Sequence, residues 1–198
     1  MSEEVQAAVS SWNLPNALTV IRLFLVPVFV AVAWVGFERD DQAWQAWAAL
    51  IFLAAAITDL LDGELARRTG KVTSFGKIAD PIADKALTGA ALIVLSWFDL
   101  LPWSVTVVII VREVAVTVLR FWVIRHGVMA ASRGGKLKTA LQIVAITLYL
   151  LPLASGAVIV AQVVMAVAVI VTLLTGVDYA LRARALRRAE TASGGVTP

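Results

Sequence analysis

Residues 59–85 read DLLDGELARRTGKVTSFGKIADPIADK, a charged stretch set between apolar runs at about 43–63 and 77–97. Asp59 and Asp62 are spaced i,i+3, with Gly63 and Ala66 continuing the same helical face, and Gly76, Asp80 and Asp84 follow at i,i+4,i+8, again on one face. On neighbouring helices these four acids would converge beside hydrocarbon. Carboxylates in that position repel one another and lose hydration, so something must neutralise them. Hard divalent cations do so naturally, and Mg²⁺ in particular takes a few carboxylates together with water and phosphate oxygens. The small side chains of Gly63, Ala66 and Gly76 leave room for a ligand to approach the backbone. Arg67, Lys71 and Lys77 add cations suited to phosphate. Ordinary pairing with local Arg and Lys would explain any one of these acids, but not all four in register with the glycines.

Outward from this stretch the chain is a series of apolar blocks, at about 16–36, 43–63, 77–97, 103–124, 137–154 and 157–180. Each is close to the ~20 residues that cross a bilayer as a helix. Hydrophobic residues make up 60% of the 198 and charged residues only 16%, where soluble proteins average about 25% charged. The mean hydropathy is +0.86. The expected fold is therefore an all-α membrane protein of six transmembrane helices. A tail and short interfacial segment would occupy 1–15, the helical domain 16–183, and a basic then disordered tail 184–198.

The charge pattern orients such a bundle. Basic residues crowd the connectors after the second, fourth and sixth blocks: Arg67, Arg68, Lys71 and Lys77; Arg125, Arg133, Lys136 and Lys138; Arg182, Arg184, Arg187 and Arg188. The other three connectors hold only Arg39. The positive-inside rule then places both termini and the basic loops in the cytoplasm. The net charge of +3 resides in these short loops rather than in a separate basic domain, which argues against a nucleic-acid partner. Trp12, Trp34, Trp44, Trp97 and Trp103 fall near block ends, where indoles anchor at the interface. Glu3 and Glu4 interrupt any signal-peptide pattern, so the first block is expected to be retained. There is no cysteine and hence no thiol chemistry. The charged motif occurs once, without the repeat common in secondary transporters.

The spacing Asp-x2-Asp-Gly-x2-Ala-Arg-x8-Gly-x3-Asp-x3-Asp resembles the signature of the CDP-alcohol phosphotransferase family, complete here as Asp59, Asp62, Gly63, Ala66, Arg67, Gly76, Asp80 and Asp84. At average residue frequencies a chance match is on the order of one in a billion per starting position. The six-block layout fits as well, so the resemblance covers nearly the whole chain. It implies that Asp59, Asp62 and Asp80 hold divalent metal, Mg²⁺ or Mn²⁺, at the pyrophosphate of CDP-diacylglycerol. It implies that Asp84 is the general base for the incoming hydroxyl and also touches metal. Gly63, Ala66, Arg67 and Gly76 would line the cytidine-phosphate pocket, with Thr73 nearby. Members of the family are commonly homodimers, and that too is carried over as an implication.

The start of the first block, NLPNALTVIR, offers Asn16, Thr19 and Arg22. Helix capping by Pro15 and Asn16 with an interfacial Arg explains it, and so does the run that faces CDP-diacylglycerol in the family; both readings stand. In the second half, Arg112 and Glu113 lie near the middle of a block, where charge is costly and usually functional. A buried pair tying helices together is the alternative. Glu113, Thr117 and Arg120 share a face, and after a flexible Gly134-Gly135 so do Lys138 and Gln142 of KLKTALQ. Together these resemble the branch of the family that forms phosphatidylglycerophosphate. That implies glycerol 3-phosphate as acceptor, read by Arg112, Arg120, Lys136, Lys138 and Gln142. Inositol phosphate, or phosphatidylglycerol to give cardiolipin, are alternative acceptors for the same chemistry. An ion or metal transporter is the reading from a different class, and the complete motif at one membrane face counts against it. Lone His126 reads as solvated, and Asp178 with Arg182 as an i,i+4 surface pair.

Overall fold

A computed structural model describes the backbone of residues 14–69, 74–124 and 133–193, and within these the side chains of 20–58, 85–119, 134–154 and 156–185. The described residues form α-helices and short turns: α1 (Leu14–Glu38), α2 (Gln42–Thr69), α3 (Ser74–Trp97), α4 (Trp103–Ile124), α5 (Arg133–Leu150) and α6 (Ser155–Ser193). One helix answers each apolar block. Among the described residues two helical segments are long and apolar enough to cross a membrane: Val20–Glu38, of mean hydropathy 2.3, and Gly156–Ala185, of mean hydropathy 2.8. In α2 and α3 the described apolar segments are shorter, Gln42–Thr58 and Lys85–Trp97. The all-helical architecture thus stands, and membrane crossing by all six helices remains an expectation.

The helices fall into two compact units, Met1–Val94 and Leu95–Pro198. In the first, α1 packs on α2. Phe29 and Phe52 meet with ring centroids 5.8 Å apart, flanked by buried Ala33, Ala48, Ala49 and Ala55. Small residues let helix backbones come close, and the approach is tightest at Gly36. A Cβ there would sit 2.8 Å from the Gln45 nitrogen and 3.0 Å from the Trp44 carbonyl carbon. The turn between the helices is a Schellman cap: Asp41 N donates to Gly36 O (2.9 Å) and Asp40 N to Phe37 O (3.3 Å). Asp40 takes the left-handed position at φ 50. Asp41 then caps α2, its Oδ1 accepting from Ala43 N at 2.9 Å and Trp44 N at 3.3 Å.

In the second unit α6 packs against both α4 and α5, around buried Ile109, Ala145, Ile146, Leu150, Ala161, Met165 and Ala168. The end of α3 repeats the cap, with Leu100 N donating to Leu95 O (2.9 Å), Asp99 N to Ser96 O (3.2 Å), and Asp99 at φ 57. Ser96 and Thr106 hydroxyls hydrogen-bond across that turn at 2.6 Å. The outward faces are apolar, with Phe24 70%, Leu174 65% and Ile159 62% exposed. That is the surface a hydrocarbon solvent requires. Trp34, Trp44, Trp97 and Trp103 are all exposed near helix ends, and Trp12 lies outside the described residues.

Two local expectations change. The helix α6 continues to Ser193, well into the segment 184–198 for which a basic then disordered tail was expected. The run ALRARALRRAETA contains neither Gly nor Pro and is rich in strong helix formers. Gly134 and Gly135 belong to the first turn of α5 rather than to a flexible loop, and the hydroxyl of Thr139 bonds to Gly135 O at 3.2 Å.

Candidate active site

The eight signature residues all lie on helical backbone. Asp59, Asp62, Gly63, Ala66 and Arg67 belong to the C-terminal half of α2, and Gly76, Asp80 and Asp84 to the N-terminal half of α3. At 3.6 residues per turn their spacings therefore keep each set on one helical face, as the sequence suggested. Only Gly70–Thr73 intervene, so the facing helix ends are at most about 18 Å apart on an extended chain. Thr73 lies outside the described residues, as do the side chains of the eight signature residues and of Asn16, Thr19 and Arg120.

The side chain of Arg22, for which both readings stood, is among the largest fully buried ones, 1% exposed. A guanidinium held that deep must be compensated by polar groups or a ligand.

The second unit brings together residues that the sequence scatters. Arg112 of α4 donates from Nε to Thr172 O (2.9 Å), from Nη2 to Thr175 Oγ1 (2.6 Å) and from Nη1 to Glu113 Oε1 (3.0 Å). The same Glu113 oxygen accepts from Lys138 Nζ of α5 at 2.5 Å. One turn further along α5, Gln142 Nε2 donates to Thr172 Oγ1 at 3.1 Å. Lys138 is 6% and Gln142 4% exposed. Of the five residues expected to read the acceptor, the fold thus gathers Arg112, Lys138 and Gln142 around Glu113 and Thr172. Lys136 is exposed on the opposite side of the α5 turn. The buried Arg–Glu pair that the sequence offered as the alternative reading exists, as part of a network joining three helices.

Thr172, Thr175 and Gly176 were not anticipated. Their signal was present as two hydroxyls at i,i+3 beside a glycine inside a long apolar helix, an arrangement that in a membrane segment points inward. Thr175 also bonds Val171 O at 2.7 Å, so its oxygen bridges the α6 backbone and Arg112. In contrast, Asp178 and Arg182 pair at 3.0 Å on an exposed surface, as expected.

A profile of the CDP-alcohol phosphatidyltransferase family matches residues 12–174, which include the acid motif and the Arg112–Thr172 network. A "probable phosphatidylglycerophosphate synthase" of Mycobacterium tuberculosis (strain ATCC 25618 / H37Rv) is 54% identical over 172 residues, 86% of this chain and 81% of the relative. The "CDP-diacylglycerol--glycerol-3-phosphate 3-phosphatidyltransferase" of Bacillus subtilis (strain 168) is 40% identical over 180 residues, covering 85% and 93%. The protein of the same name from Rickettsia typhi (strain ATCC VR-144 / Wilmington) is 36% identical over 172 residues, covering 84% and 94%. With a complete signature on two consecutive helices and a profile match over most of its length, the chain belongs to the CDP-alcohol phosphatidyltransferase family.

Proposed function

We propose that this protein transfers the phosphatidyl group of CDP-diacylglycerol to glycerol 3-phosphate, giving phosphatidylglycerophosphate and CMP. The observation that carries the chemistry is the unbroken eight-residue acid motif on α2 and α3. The acceptor rests on the names of the relatives and on the cations of α4 and α5. An ion-transport role loses its support with the family membership.

The donor set fits a hard divalent cation: four carboxylates, with no thiol or imidazole among them. Asp59, Asp62 and Asp80 would hold Mg²⁺ or Mn²⁺, with Asp84 at the edge of the set. A cation held by these residues would supply neutralisation of charge on the pyrophosphate and on the departing CMP. Arg67 supplies a further cation for phosphate. Gly63, Ala66 and Gly76 leave the helix faces open to the nucleotide, and Asn16, Thr19, Arg22 and Thr73 complete the donor site. The acceptor hydroxyl attacks the phosphorus bearing the diacylglycerol. Its proton passes to the Asp84 carboxylate as the new P–O bond forms and the bond to CMP breaks. Arg112, Arg120, Lys136, Lys138 and Gln142 provide the positive and polar side of the acceptor pocket. Both termini and the active face are cytoplasmic in this reading, and the working unit is a homodimer.

The direct test incubates purified protein with CDP-diacylglycerol and, separately, glycerol 3-phosphate, glycerol, inositol phosphate and phosphatidylglycerol. Phosphatidylglycerophosphate and CMP are expected from the first alone. Preference for inositol phosphate would keep the chemistry and overturn the acceptor. Because the chain lacks cysteine, single cysteines can report orientation. Impermeant thiol reagents should label the 38–41 turn on intact cells and leave the 125–132 segment untouched, and the reverse pattern would invert the topology.

A further inference from the structure

Two cations from different helices share one oxygen in the second unit. Arg112 Nη1 and Lys138 Nζ lie 3.0 and 2.5 Å from Glu113 Oε1. The side chains are 10%, 8% and 15% exposed for Arg112, Lys138 and Glu113, so little water screens them. Arg112 is itself fastened to α6 through the Thr172 carbonyl and the Thr175 hydroxyl. Its stem crosses Gly176 so closely that a Cβ there would sit 3.2 Å from Nε and 3.3 Å from Cγ. Thr172 is gripped twice, by Arg112 at its carbonyl and by Gln142 at its hydroxyl.

Three of the five N–H groups of Arg112 are engaged within the protein, which anchors its guanidinium in place on the positive side of the pocket. Lysine, by contrast, is a flexible point charge whose ordering opposes binding unless it is held beforehand. Here the holder is Glu113, whose carboxylate Arg112 pins in place.

We infer that Glu113 is a positioning residue for the acceptor phosphate: seated by Arg112 on the Thr172–Gly176 turn of α6, its carboxylate holds the Lys138 ammonium where the acceptor is read. This inference rests on the proposed assignment of Lys138 to the acceptor. Glu113 touches neither substrate nor reacting atoms in this role. Its removal acts through Lys138, and a perturbation of α6 at Gly176 acts through Arg112.

The test compares wild type, Glu113→Gln, Glu113→Asp, Gly176→Ala, Arg112→Ala and the double variant Arg112→Ala/Gly176→Ala as purified full-length proteins. Glu113→Gln should raise KM for glycerol 3-phosphate about tenfold while kcat and KM for CDP-diacylglycerol stay within about threefold. Glu113→Asp should recover part of the loss, since the charge remains. Gly176→Ala should raise the same KM about threefold alone and add nothing once Arg112 is gone, because the clash is with Arg112 itself. Equal changes in both KM values with a lower melting temperature would overturn the inference in favour of a helix-tying ion pair. A lower KM for glycerol 3-phosphate in Glu113→Gln would also overturn it, by making Glu113 a competing anion. Should Glu113→Gln fail to fold, the Gly176→Ala cycle decides, and additivity with Arg112→Ala refutes the proposal. A wild type that forms no phosphatidylglycerophosphate refutes the functional reading itself, a result distinct from any change confined to the variants.

Discussion

In the first half of the chain the eight motif residues assigned to the donor fall between Asp59 and Asp84, close together in sequence on α2 and α3. In the second half Arg112, Glu113, Lys138 and Thr175 meet from three helices, across 25 residues in one contact and 63 in another. The difference is one of range. A helix converts local spacing into a shared face without help from the rest of the fold. A cluster assembled from α4, α5 and α6 exists only once those helices have packed. The residues proposed for the donor therefore form a motif, and those proposed for the acceptor an arrangement.

The largest expected effect probes the motif. Chelation by EDTA should abolish turnover and Mg²⁺ or Mn²⁺ should restore it, because the four carboxylates proposed to meet from two consecutive helices require cationic neutralisation. Full turnover in chelator would remove the metal from the donor half. Next comes Asp84→Asn, expected to lower turnover by roughly 10² or more with CDP-diacylglycerol binding retained. Near-normal turnover would send the search for the base elsewhere. On the acceptor side Lys138→Ala should raise KM for glycerol 3-phosphate about tenfold, as the loss of one charge-assisted contact of ~1.4 kcal/mol implies. A change confined to CDP-diacylglycerol affinity would dissolve the division into two halves. The smallest effect belongs to Asp178→Ala. Its pair with Arg182 is exposed, 45% and 58% respectively, so stability should move by less than about 1 kcal/mol and turnover should not change. A loss of acceptor binding there would extend the acceptor side along α6.

The positions of all six helices were readable from apolar block length, and the helical placement of the acid motif from its spacing. What escaped was of two kinds. The Asp40 and Asp99 caps place an aspartate in the left-handed position, which glycine usually occupies and which Asp adopts less often, so neither turn carried a strong local signal. The seat for Arg112 lay in Thr172, Thr175 and Gly176, polar or small residues whose partner is some 60 residues away. The continuation of α6 to Ser193 was misjudged because a polar, charged end resembles a tail, although its residue types favour helix.

By itself the sequence determined the helical architecture, the family and the residues proposed for the donor chemistry. Hydrophobic block length and i,i+3 or i,i+4 spacing act within one helix and need no knowledge of its neighbours. Only the tertiary structure decided that Arg22 is buried, that α1 and α2 close tightly over Gly36, and that Arg112 is anchored on α6 while Glu113 holds Lys138. Those outcomes depend on which helix faces meet and how closely. Such packing is set by side-chain volumes and hydrogen-bond partners on segments far apart in the chain.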